Sequence, residues 1–234
     1  ENSIRTQGGD NGIISYDMYF VLSAVDYFFH SKDDATLASW GSLIEQKFET
    51  AISFWAADLN GSNPSPGFQG HDDRLGSGLG ADSYENRDGS GAEMTGYYKM
   101  LSIRAAREYA RAVTQCGTCN STMVAAAVSL DAEFTGYFAR NRSLVSTQYG
   151  IHAATNAVLT GLTTPAEEQH IYEALLSNPA HVCSFAPFNT YFILEAASRL
   201  RLSGGRKQAM QVALQIVHRC FYGMNRLGAT TYWE

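Results

Sequence analysis

The chain has 234 residues, 45% of them hydrophobic and 17% charged, with a formal net charge of −6. That size suits one domain over 1–234 with a sizeable core, and the composition is that of a globular chain, not a disordered one. The acidic balance, without any run of Lys and Arg, argues against nucleic acid or an anionic membrane as partner, and no apolar stretch is long and unbroken enough to span a bilayer.

Residues 1–14 are polar, Gly-rich and aperiodic, and they include Gly8-Gly9-Asp10. From Ser15 to about His30 the run is apolar on almost every side (Tyr19, Phe20, Val21, Leu22, Val25, Tyr27, Phe28, Phe29), which is the pattern of a helix buried on most faces. Its most apolar part, Met18 to Phe29, is interrupted by Ser23 and Asp26. After a turn at Ser31-Lys32-Asp33-Asp34, the residues Leu37, Trp40, Ile44, Phe48, Ile52 and Trp55 repeat at i, i+3/i+4, so a second helix is one-sided. The two form a hairpin with one inner and one outer member.

Asp58 to Gly91 reads as a long loop with Pro64, Pro66 and many Gly, Asp and Asn. A connection of that length within a domain is usually functional. It holds His71-Asp72-Asp73-Arg74-Leu75-Gly76, which is either part of a site or a solvated loop with an internal salt bridge. Ser90-Gly91-Ala92-Glu93 has capping-box spacing and opens a third helix with Met94, Tyr97, Tyr98, Leu101, Ala105 and Tyr109 on its apolar face.

A turn at Cys116–Asn120 leads to a fourth helix carrying Met123, Ala127, Leu130, Phe134, Tyr137 and Phe138, and a short fifth runs from about Ile151 to Thr160. Thr164-Pro165-Ala166-Glu167 combines an N-cap, Pro at the first helical position and Glu at the third, and so signals a sixth with Ile171, Leu175 and Leu176 inward. Pro187 opens a seventh through Tyr191, Leu194 and Ala197, stopped by Gly204-Gly205. The eighth, from Arg206 to about Phe221, has Met210, Leu214 and Val217 on one side.

No segment has the period of two that a strand requires. The expected fold is all-α, eight helices in four successive hairpins. Alternation of all-round apolar helices with one-sided ones fits an (α/α) toroid better than a four-helix bundle, whose stripes would be uniform. A superhelical repeat array would show a fixed sequence period, and none is present.

Four cysteines occur, two as Cys116-Gly117-Thr118-Cys119. Cys183 and Cys220 are too far apart to complete a zinc site, and the strand–helix context of a redox pair is missing. Cys116, Cys119, Cys183 and Cys220 are therefore disulfide candidates, with loop cysteines as the alternative at 116 and 119. Sequons at Asn60, Asn120 and Asn141 sit at expected loops or helix ends, and together with the even cysteine count they point to an exported, extracellular protein. His152 and His181, near helix ends, read as caps or surface groups. No metal and no cofactor are expected; the Asp-rich loop leaves calcium open, because oxygen ligands need no fixed spacing.

The run Leu227-Gly228-Ala229-Thr230-Thr231-Tyr232-Trp233-Glu234 resembles the Gly-Ala-Thr-Thr-x-Trp-Glu segment of inverting α-L-rhamnosidases with a six-hairpin catalytic domain. The stretch from Ser15-Tyr16-Asp17 to Asp34, and Pro187-Phe188-Asn189-Thr190-Tyr191-Phe192 with the helix after it, are similar to earlier barrel segments of the same enzymes. Only the terminal run is specific. The resemblance implies an (α/α) six-hairpin barrel of which this chain covers about four hairpins, a carbohydrate substrate, and Glu234 as the general base. Trp233 would be a stacking platform, and Asp72, Asp73, Arg74 and Asp10 would be sugar ligands.

An inverting enzyme needs a second carboxyl roughly 6.5–9.5 Å from the base, leaving room for water. The family carries that acid in an Asp-Glu-Arg-x-Gly-Trp run, which would fall upstream of Glu1. Asp72-Asp73-Arg74-Leu75-Gly76 resembles it but lacks the Trp and lies after the first matched hairpin. The expectation is therefore a fragment of a longer glycosidase, with the remainder of its own chain as a further partner. The alternatives are a non-catalytic carbohydrate-binding or structural glycoprotein that keeps the fold, and a hairpin-barrel hydrolase or lyase for another sugar.

Overall fold

A computed structural model describes residues 15–59, 92–145, 150–177, 187–226 and Gly228. Among them the chain is helical throughout, without a strand: α1 (Ser15–Ser31), α2 (Asp34–Leu59), α3 (Ala92–Gln115), α4 (Ser121–Asn141), a 3₁₀ turn (Arg142–Leu144), α5 (Gly150–Thr160), α6 (Pro165–Ile171) running into a π-helical segment (Tyr172–Leu176), α7 (Pro187–Arg199) and α8 (Gly205–Arg226). Among the described residues the all-α expectation holds, and the eight expected helices follow in the expected order. No helix among the described residues is long and apolar enough to cross a membrane. Two compact units are present, one drawn from Glu1–Gly70 and Tyr98–Arg142, the other from His71–Tyr97 and Ser143–Glu234.

In the first unit α1 packs on α2 through a tight connection. Lys32 there takes φ 58°, a left-handed conformation that costs a side-chain-bearing residue about 1–2 kcal/mol. Asp33 caps α2, accepting from the Thr36 amide at 3.0 Å and the Thr36 hydroxyl at 2.6 Å, bonds that hold its carboxyl below its ordinary value. The stripe read from the sequence for α2 is the buried one: Leu37, Ile44, Phe48 and Trp55 are each at most 1% exposed. Phe48 meets Tyr109 of α3 and Phe134 of α4 with ring centroids 6.2 and 5.7 Å apart, so three helices share one aromatic core. Burial of each such side chain contributes about 1.5–3 kcal/mol relative to exposure.

In the second unit α7 packs against both α5 and α8, and α5 also touches the π-helical segment. α6 begins as its sequence dictates: the Thr164 hydroxyl accepts from the Glu167 amide at 3.3 Å, and the Glu167 carboxylate accepts from the Thr164 amide at 2.6 Å. Inward positions Ile171, Leu175 and Leu176 are buried as expected.

Most of α3 is enclosed on nearly all sides, as is all of α5 from Ile151 to Thr160, whereas α1, α2, α4 and α8 each keep an exposed face. On α1 that face carries Ser23, Asp26, His30 and Tyr27, the last 45% exposed, so the helix is less enclosed than its apolar run suggests. On α3 the apolar face named from the sequence is too narrow, since Met100, Ile103, Ala106, Ala112 and Val113 are also 0% exposed. Two helices pack through residues other than those that stand out in the sequence. Tyr191 on α7 is 63% exposed, and the inward positions there are Thr190, Ile193, Ala196 and Ala197. On α8 the packed residues are Ala209, Val212 and Ile216, while Met210, Leu214 and Val217 face outward. α8 carries two apolar stripes, and apolar spacing alone does not rank them.

Candidate functional site

The residues assigned roles by the resemblance, Glu234, Trp233, Asp10, Asp72, Asp73 and Arg74, lie outside the described residues. The same is true of Asn60, Cys183, His181 and the side chain of Cys220. Cys116 and Cys119 form a disulfide with their Cα atoms 5.4 Å apart. Its turn is held independently: the Gly117 amide donates to Asp34 Oδ2 at 2.9 Å, and a Cβ at Gly117 would stand 2.9 Å from that oxygen. Asn120, exposed, N-caps α4 by accepting from the Met123 amide at 2.9 Å. The surface expectation fails at Asn141. It is 6% exposed, its Nδ2 donates to the Tyr137 carbonyl at 3.0 Å, and its Oδ1 accepts from Lys99 Nζ at 3.3 Å.

The buried ionic groups are engaged in packing. In the first unit Asp17 meets Lys47 at 3.0 Å, with side chains 3% and 13% exposed. Burial, reinforced by the Asp17 charge, pushes the Tyr98 phenol above its ordinary value. The Lys99 ammonium sits 4.9 Å from the centre of the Trp55 ring, which stacks on Tyr137 at 4.7 Å and donates to Ser102 Oγ at 3.2 Å. Burial and the hydrogen bond to Glu133 push the Tyr137 phenol up to about 12.

In the second unit Glu168, 2% exposed, accepts from the Thr163 hydroxyl at 2.8 Å, from Arg201 Nε at 3.0 Å and from the Arg201 amide at 2.6 Å. That carboxylate ties α6 to the link before α8, and the bond raises the Arg201 pKa. An acid so fully satisfied is a structural clamp, not a proton donor.

What remains is a polar row inside the second unit. His152, Thr155 and Asn156 lie at i, i+3 and i+4 on one face of α5 and are 4%, 2% and 2% exposed. The Asn156 amide donates to the His152 carbonyl at 3.0 Å, and the His152 ring meets Tyr97 edge-on at 6.0 Å. Thr155 Oγ1 is buried with no hydrogen-bond partner among the described residues. His152 is thus neither a cap nor a surface group: its helix is enclosed on every side and offers no surface.

Groups of this kind can hold a hydroxyl-bearing ligand but contain no carboxylate pair for acid–base chemistry. Among the described residues no three His, Cys, Asp or Glu side chains could hold a metal ion. A sequence signal for the α5 row existed, in polar residues at helical spacing inside an otherwise apolar run, but a search for apolar periodicity passes over it. Comparison with protein-family models, with curated proteins and with solved structures finds no match.

Proposed function

We propose that the chain is part of a carbohydrate-active (α/α) six-hairpin domain of the α-L-rhamnosidase type, acting on terminal sugars by inversion. The observation that carries this reading is the Gly228–Glu234 run, which brings a tight bend, two hydroxyls, two aromatics and a carboxylate into seven residues. Glu234 is the base that activates water, Trp233 the ring against which the sugar's C–H face stacks, and Asp72, Asp73, Arg74 and Asp10 ligands to its hydroxyls. The enclosure of α3 and α5 next to the one-sided α4 supports it, because hairpins of such a barrel have inner and outer members. The polar row of α5 belongs to an inner helix on this reading. The disulfide and the exposed sequon at Asn120 support export to an oxidising compartment.

The test is Glu234→Gln in the full-length protein, assayed on an aryl α-L-rhamnoside and by rhamnose binding. Turnover falls by about 10²–10⁴-fold while binding persists. Unchanged turnover removes Glu234 from the base role. Sugar binding with no turnover in the unsubstituted full-length protein leaves the non-catalytic carbohydrate-binding scaffold instead.

A further inference from the structure

The outer face of α8 is the least explained surface of the described chain. Leu214 is 63% exposed, Met210 and Val217 are both 42% exposed, and Tyr222 is 49% exposed. The first three fall within about 60° of one another around the helix, on the side away from Ala209, Val212 and Ile216, which are packed. A helix apolar on both sides is the signature of one enclosed between neighbours. Further round the helix Tyr222 is held between His218, stacked at 4.9 Å, and Arg226 at 6.0 Å. An open concavity of about 420 Å³ is lined by Gln211, Leu214, Gln215 and His218, next to the stripe.

Charge narrows the occupant. Gly205–Arg226 contains Arg206, Lys207, Arg219 and Arg226 and no Asp or Glu, in a chain whose net charge is −6. We propose that this face docks an amphipathic α-helix whose own apolar stripe is flanked by carboxylates. The stripe at i, i+4 and i+7 is the spacing that a helix lying alongside engages, and Arg206 and Lys207, within about 60° of the stripe at the start of α8, complement an acidic flank.

Two other occupants fit less well. A helix lying in a membrane interface carries Lys and Arg along the polar flank of its apolar face. Here Arg206 and Lys207 stand beside the stripe only at its start, and Gln211 and Gln215 occupy the flank along its length. A two-fold contact between copies would set α8 against itself and offer Arg206 and Lys207 no carboxylate, since the helix has none.

The test uses the whole chain and two synthetic helical peptides with the same Leu stripe, one flanked by Glu and the other by Lys, measured by fluorescence anisotropy. The Glu-flanked peptide binds saturably and about tenfold or more tightly than the Lys-flanked one. Leu214→Asp, at an exposed position, keeps the far-UV circular dichroism and weakens that binding about tenfold or more. No binding, equal binding of the two peptides, or binding indifferent to Leu214→Asp overturns the proposal. Co-sedimentation with phosphatidylserine vesicles that Leu214→Asp abolishes reassigns the face to a membrane. A concentration-dependent dimer that the same substitution dissolves reassigns it to a second copy.

Discussion

α5 and α8 pack against the same helix, α7, yet each reverses what its composition suggests. α5 contains His152, Thr155, Asn156 and Thr160 and is buried at every residue from Ile151 to Thr160. α8 contains Met210, Leu214, Val217 and Tyr222 on a face that water reaches. A buried polar group and an exposed apolar stripe are the informative departures from the ordinary partition of residues. The first shows that position in a fold can enclose polar side chains when most of them find partners. The second shows a helix with more apolar surface than the described chain covers.

The contrast can be sharpened on α8 itself, where the largest effect is expected. Ile216→Ala removes a packed side chain that is 1% exposed and should cost about 2–4 kcal/mol in chemical denaturation. Leu214→Ala, two residues earlier on the outward face, should stay within about 0.5 kcal/mol of the parent. Equal losses at the two positions would show that both stripes are packed in solution.

The first unit offers the corresponding test of enclosed polar groups. The phenols of Tyr98 and Tyr109 have pKa values raised from 10.0, chiefly by burial, so the native state keeps protons that the unfolded chain releases. The stability these groups contribute is fully present below pH 10 and is lost as pH rises from there towards their folded values. Each should add about 1.4 kcal/mol per pH unit to the alkaline loss. Denaturant midpoints measured from pH 9 upward should therefore fall, and Tyr98→Phe should flatten the slope. A slope unchanged in that variant would mean that Tyr98 titrates as if exposed.

The smallest effect concerns Thr155. Its hydroxyl oxygen is buried without a hydrogen bond among the described residues, so the near-isosteric Thr155→Val should be neutral or stabilising by about 1 kcal/mol. A loss of about 1–3 kcal/mol would reveal a partner for that hydroxyl and strengthen the case for a polar row built to hold something.

Much of the local structure was legible because its causes are local. The Thr164–Glu167 capping box, Pro165 at the first turn of α6 and the Leu37–Trp55 stripe of α2 each encode their helix in a few neighbouring residues. The candidate site was legible only as a resemblance. Its residues, Asp10, Asp72–Arg74, Trp233 and Glu234, fall outside the described part of the chain, and inside it the α5 row went unread.

By itself the sequence determined the all-α class and the order of the eight helices among the described residues. Hydrogen-bond caps and apolar spacing act within a few residues, so each helix can be read from its own stretch of chain. The tertiary structure alone decided which of α8's two stripes is packed, that Asn141 and His152 lie inside, and that Glu168 meets Arg201 across 33 residues. Those outcomes depend on which neighbour reaches a given face first, and helical periodicity, which is the same on both sides of α8, carries no information about neighbours.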